Sequence, residues 1–202
     1  TSEFLSFLYY GIAFDTTAIL YVNLLFILLS ILPLWINTNK NYQKIVFYIY
    51  FITNIIAYST NFPDMLYYPF SKTRLTTASF AVIENENNKG TLLLTFLGMY
   101  WYMFILFFLL VAIWVYFYKK IQIRPIKIAK KSYFISSLFF FIFFGLLTLA
   151  GIRGGDLATS TRPINILDAS RHVTIAAQAD MILNTPFTLI RTIGKNKGFR
   201  EY

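Results

Sequence analysis

Lys119-Lys120-Ile121-Gln122-Ile123-Arg124-Pro125-Ile126-Lys127-Ile128-Ala129-Lys130-Lys131 lies between two stretches, 90–118 and 132–152, that contain no Asp, Glu, Lys or Arg. Six positive charges and no acid in one short loop between apolar segments are the positive-inside signal, which places residues 119–131 in the cytoplasm. Two further uncharged stretches, 16–39 and 45–63, lie upstream. Each of the four can supply the roughly 20 residues, rising about 1.5 Å apiece, that cross a hydrocarbon core about 30 Å thick. The whole chain of 202 residues agrees, with 57% hydrophobic against 13% charged residues, 22 Phe and 15 Tyr. A soluble domain does not carry that balance. The expected fold is all-α: a polytopic transmembrane helical bundle, four spans at about 16–36, 45–61, 91–118 and 132–150, with a short extracytoplasmic helical linker over 151–202.

The remaining charge follows the same topology. Residues 1–92 balance Lys40, Lys44, Lys72, Arg74 and Lys89 against Glu3, Asp15, Asp64, Glu84 and Glu86. The connection 37–44, with Lys40 and Lys44, falls inside, and the mixed connection 61–90 falls outside. Both ends of the chain are then extracytoplasmic. Residues 1–15 read as an interfacial helix, because Phe4–Gly11 is too short to span and is flanked by Glu3 and Asp15. No basic signal region precedes residue 16, so an earlier span upstream of Thr1, five in all, is the expectation. Beyond Gly151 the composition turns polar. Helices are expected at about 171–183 and from Thr185-Pro186 to Gly194, with Thr185 as N-cap.

Several kinds of chemistry are excluded or disfavoured. There is no cysteine, one histidine (His172) and nine scattered carboxylates, so no catalytic residue and no metal centre is expected within the chain. No glycine-rich phosphate loop is visible. The spans hold no fully intramembrane charge, which disfavours proton pumps and ion channels. The basic cluster serves membrane orientation, so nucleic acid is not an expected partner despite a net charge of +9. Polar residues recur in stripes: Thr16, Asn23 and Ser30; Tyr50, Asn54 and Tyr58; Thr91, Thr95, Gly98 and Tyr102. Helix packing explains such stripes better than a polar path does. Belts of Trp and Tyr near the span ends, and Phe139 to Phe144, read as interface and lipid contact.

Polar residues at the outer edge remain: Asp15, Asn61, Asp64, Lys72, Arg74, Arg153, Arg162 and Asp168. Among them Arg74, Arg153, Arg162, Asp15 and Asp64 are candidates for holding lipid headgroups or docking a domain, since an Arg fork can grip a phosphate bidentately. The plainer alternative for each is an interfacial anchor or a salt bridge to Asp64 or Asp15. His172 has no cluster around it in sequence and is expected to be structural.

Gly11-Ile12-Ala13-Phe14-Asp15, Leu32-Pro33, and Asn61, Asp64 and Tyr67 to Arg74 resemble the membrane part of lipoteichoic-acid-synthase-like phosphoglycerol transferases. The more specific matches lie in the tail: Arg153-Gly154-Gly155, Arg162-Pro163-Ile164, Asp168-Ala169 and Leu183-Asn184-Thr185-Pro186-Phe187. Ala13 departs from the pattern, which often has Arg there. The resemblance implies five transmembrane helices in a bacterial cytoplasmic membrane, a helical linker, and an outer catalytic domain of the alkaline phosphatase and sulfatase superfamily. It also implies a threonine nucleophile and a divalent metal of the Mn or Mg type in that further domain, which transfers a phosphoglycerol-type headgroup from lipid or acts as a sulfatase-type hydrolase on a related ester, with membrane lipids and the catalytic domain as partners. The competing expectation is a non-enzymatic subunit of a larger membrane complex, held to other membrane subunits through the polar stripes.

Overall fold

The computed structural model describes residues 2–84, 88–121, 129–154 and 163–193. Among these residues the regular structure is entirely helical. The longer elements are α1 (Ser2–Val22), α2 (Leu24–Ile31), α3 (Lys40–Ser59), α4 (Asn61–Ser71), α5 (Thr77–Glu84), α6 (Lys89–Met99), α7 (Trp101–Lys120) and α8 (Lys130–Ile152). The tail adds α9 (Ile166–Ala169), α10 (Ala179–Ile182) and α11 (Thr185–Thr192). Four segments are long and apolar enough to cross a membrane: Phe4–Val22, Lys40–Pro69, Trp101–Lys119 and Lys130–Ile152. The protein is therefore an all-α, multi-pass membrane bundle, as its composition requires.

Two compact bodies are present, one of residues 1–76 with 127–202 and the other of residues 77–126. In the first, α1 and α2 form one rod interrupted at Asn23, whose side chain donates to the Ile19 carbonyl at 2.9 Å. The Asn23 backbone amide donates to the same carbonyl, so the helical ladder continues across the interruption. The Asn23 side-chain amide also donates to Asn54 Oδ1 of α3 at 3.0 Å, so two of the polar stripes meet as helix packing. The rod lies antiparallel to α8. Thr17 Oγ1 donates to the Gly151 carbonyl at 2.9 Å at one end. At the other, Tyr133 OH donates to the Leu34 carbonyl at 3.1 Å and its ring meets Trp35 edge-on at 5.1 Å. The shared length, residues 17–35 against 133–151, is about 27 Å at the helical rise, close to a hydrocarbon thickness. Gly151 permits the contact: a Cβ there would stand 2.2 Å from Leu20 Cδ1.

This register corrects one expected boundary. Residues 1–15 do not form a separate helix before the span. The backbone is helical from Ser2 to Val22, and the first half of α1 continues beyond the level at which α8 ends. Nothing in Asp15-Thr16 breaks a helix, and the stretch long and apolar enough to cross a membrane starts at Phe4 and ends at Val22, in place of the expected 16–36. The projecting half of α1 carries the tail: Phe7 and Phe14 are buried with Ala169, Ile182, Leu183 and Phe187 in one apolar cluster. Phe14 and Phe187 meet edge-to-face at 5.2 Å. The opposite face of α1, with Phe4, Leu8 and Ile12, stays exposed.

The tail departs from expectation in two details. The helix expected over 171–183 is interrupted: a 3-10 turn at Ser170–His172, another at Ala176–Gln178, then α10. Val173 between them is extended (φ −134°, ψ 151°), in keeping with its β-branched side chain. The N-cap of α11 is Asn184 rather than Thr185; Asn184 Oδ1 accepts from the Phe187 amide at 2.8 Å, and Pro186 falls within the first turn. At the end of α8, Gly154 adopts φ +83° and its amide donates to the Gly151 carbonyl, a left-handed stop that an L side chain resists.

In the second body, the helix expected over 91–118 is broken at Tyr100 (φ −119°, ψ 25°), which separates α6 from α7. Met103 donates to the Tyr100 carbonyl at 2.9 Å, a tightened first turn. Lys119 and Lys120 close α7, where cations complement the helix dipole.

Candidate functional site

Above the level of Gly151, three stretches of the first body converge: the N-terminal half of α1, α4 with the strand-like segment 73–76, and the tail. Helix α4 ends at Lys72, whose φ of 56° is the left-handed value, and this turn sends the chain back past Asp64. Asp64 is 1% exposed. Its Oδ2 accepts from Arg74 Nη1 at 2.7 Å and its Oδ1 from the Leu75 amide at 2.6 Å. Arg74 Nε also donates to the Asp180 carbonyl of α10 at 3.0 Å, and its guanidinium stands 5.7 Å from the Tyr68 ring. Thr188 Oγ1 of α11 donates to the Leu75 carbonyl at 2.7 Å. A second strut lies nearby, where Asn184 Nδ2 donates to Asp15 Oδ1 at 2.6 Å.

Of the five sequence-selected residues, the structure pairs Asp64 with Arg74 and joins Asp15 to the tail through Asn184. Arg74 is thus a brace between α4 and α10, the salt-bridge alternative given above, with its donors directed to protein acceptors. Arg153 follows α8 as its C-cap, its amide bonded to the Leu149 and Ala150 carbonyls. Arg162 lies outside the described residues. Asp168 forms a capping box with Asn165 at the start of α9 and pairs with Arg171 at 3.4 Å. His172 stacks on Tyr10 with ring centroids 3.9 Å apart, the structural role expected of it.

Asp180 was not selected from the sequence, yet its carboxyl is pushed above the ordinary carboxylate range, chiefly by burial. Arg74 opposes the shift and Asp64 adds to it. Arg191 was also missed: its guanidinium lies 5.0 Å from the Tyr21 ring, with Nε and Nη2 buried and without hydrogen-bond partners. Phe187, one turn earlier in the same helix, is its other ring partner at 5.5 Å, but a lone charge gives no signal of Tyr21, which comes from a segment 170 residues earlier. Among the described residues no group of three or more His, Asp or Glu could hold a metal ion. Asp64 and Arg74 are each bonded to a second protein group besides one another, an arrangement that fixes geometry. No protein-family model, curated protein or solved structure matches the chain.

Proposed function

We propose that this chain anchors and orients an extracytoplasmic, metal-dependent enzyme that transfers phosphoglycerol or a related phospho-headgroup from membrane lipid. In that reading it sits in a bacterial cytoplasmic membrane with both ends of the chain outside. The observation that supports it is the docked tail. A freely jointed linker would leave 163–193 unpacked, whereas here Phe187 is 0% exposed against α1 and Asp64–Arg74 ties α4 to α10. A tail fixed in this way transmits the bundle's orientation to whatever follows it. The resemblance of the tail motifs to lipoteichoic-acid-synthase-like proteins gives the reaction class. The divalent metal and threonine nucleophile would then belong to a further domain.

The test is an intact-mass measurement of the protein purified from its native membranes, with a headgroup-transfer assay on phosphatidylglycerol in the presence of Mn²⁺ or Mg²⁺. A mass well above that of 202 residues, with metal-dependent release of diacylglycerol, supports the reading. A native species of this length that is inactive and co-purifies with other membrane proteins rejects it in favour of a complex subunit.

A further inference from the structure

Charge in the first body is sorted to one end. On the tail side of the Thr17–Gly151 contact, among the described residues, the carboxylates Glu3, Asp15, Asp64, Asp168 and Asp180 are matched by as many cations, Lys72, Arg74, Arg153, Arg171 and Arg191. At the opposite end stand four lysines, Lys40 and Lys44 of α3 and Lys130 and Lys131 of α8, all exposed and with no carboxylate among the described residues there. One fixed turn joins the two helix starts. Asn37 Nδ2 donates to the Leu32 carbonyl at 2.7 Å, Gln43 Nε2 donates to the Asn37 carbonyl at 2.7 Å, and Asn39 Oδ1 accepts from the Asn41 amide at 2.8 Å, which holds the 3-10 turn Trp35–Thr38 in front of α3. Tyr133 of α8 reaches the same turn through the Leu34 carbonyl and the Trp35 ring, and Lys130 Nζ lies 5.8 Å from that ring. Leu34, Trp35 and Ile36 nonetheless stay exposed.

We infer that this end of the bundle binds the headgroup of an anionic phospholipid, with its phosphate held by the lysines that open α3 and α8 and its glycerol and upper acyl carbons against Leu34, Trp35 and Ile36. Lys40 and Lys130 each begin a segment long and apolar enough to cross a membrane, so their ammonium groups belong at the bilayer edge, where Trp35 and Tyr133 also suit the headgroup level. Basic clusters at that edge attract anionic lipid. A soluble anion would satisfy the lysines but leave three apolar side chains of the turn in water. A zwitterionic lipid would bring its own cation against four lysines that have no carboxylate to receive it. An anionic phospholipid meets both halves of the surface: the charge pairs with the lysines and the hydrocarbon covers the turn. This inference rests on the spans and not on the transferase assignment, so either can fail alone.

The experiment uses the full chain in nanodiscs with Trp101→Phe and Trp114→Phe, which leave Trp35 as the single tryptophan. Phosphatidylglycerol and phosphatidylcholine, each brominated on the acyl chains, are compared as quenchers of Trp35 fluorescence at equal mole fraction. Phosphatidylglycerol should be preferred at Trp35 by at least about fivefold, the factor that one lysine near an anionic surface supplies. Lys40→Gln combined with Lys130→Gln should lower that ratio by at least about fivefold, while Lys72→Gln at the tail end leaves it unchanged. Soluble glycerol phosphate should not compete. Equal quenching by the two lipids overturns the anionic assignment, and a preference that survives the paired Gln substitutions overturns the lysines assigned to it. Loss of the preference on adding glycerol phosphate would make this a site for a soluble anion and overturn the lipid. The comparison of the two lipids needs no lysine variant, so it stays decisive even if the paired Gln variant fails to fold.

Discussion

Replacing Asp64 with Ala tests the brace that holds the tail. The Leu75 amide, in a residue 0% exposed, would lose its acceptor at 2.6 Å, and a buried unpaired donor costs about 1–3 kcal/mol. The lost bond to Arg74 adds less than a fully buried pair would, because the Arg74 side chain is 30% exposed and can turn to water, so about 1 kcal/mol is reasonable. Asp64→Ala should therefore weaken the tail's attachment by about 2–4 kcal/mol in total. Asp64→Asn keeps an oxygen for the Leu75 amide and loses only the charge, so it should cost about 1 kcal/mol. Arg74→Ala is the reverse case. It strands a carboxylate whose side chain is 2% exposed, for which about 3–5 kcal/mol is typical. Hydrogen exchange in nanodiscs reads the effect locally, through the Leu75 amide and α11, without complete unfolding. The Ala variant should speed exchange there by roughly 30- to 1,000-fold while α7 is unaffected. Equal acceleration by Asn and Ala, or unchanged protection in the Ala variant, would refute the reasoning.

Three further predictions rest on separate contacts. Gly151→Ala sets a methyl against Leu20 Cδ1, the tip of a flexible side chain that can turn aside, so the loss in detergent denaturation should stay within about 0.5–1.5 kcal/mol, and Leu20→Ala should remove most of it. Asn54→Leu removes the bond to Asn23 and should cost about 0.6–1.7 kcal/mol by the same measurement, the range of interhelical polar contacts in membranes. The native state raises the Asp180 carboxyl above its unfolded value and so binds more protons; stability should fall as pH rises from about 3.9 through the raised range, and Asp180→Asn should flatten that part of the thermal midpoint against pH.

The presence of four spans was legible because the bilayer imposes long uncharged runs, although the first lies at Phe4–Val22 and not at 16–36, since Asp15 ends an uncharged run without ending the helix. Helix packing was legible in part. Asn23 and Asn54 stood out as amides in apolar runs, and each found the other. The break at Tyr100 was not legible, since Gly98-Met99-Tyr100-Trp101 carries no proline or charge and the hydropathy is continuous across it. In the candidate site, Asp64 and Arg74 were visible as charges ten residues apart. Their third partner was a carbonyl, that of Asp180, and a carbonyl has no sequence signature. The cap at Asn184 was misplaced by one residue because Asn184 and Thr185 are both good caps; the choice went to Asn184, whose free amide also reaches Asp15.

Burial shows how one helix makes two kinds of contact. Of the apolar residues buried best, Phe14, Ile182, Leu75 and Phe187 belong to the region beyond the end of α8 and Val46 and Phe51 to α3, whereas Phe108 to Leu110 of α7 remain exposed. Water drives apolar side chains together only where water is present, so helices facing lipid can leave large apolar side chains exposed while the tail packs its own against α1. Along α1 the switch falls between Asp15 and Thr17. Before it, Phe7 and Phe14 recur at seven-residue spacing and bury against the tail; after it, Thr17 and Asn23 make the contacts, through hydrogen bonds to α8 and α3. Exchanging the two kinds of residue would fail in both places. Phenylalanines below Thr17 would gain little by leaving lipid, and hydroxyls in place of Phe7 and Phe14 would leave Phe187 and Ile182 facing water. The continuity of α1 across that point gives the tail a rigid footing that rises directly from the span.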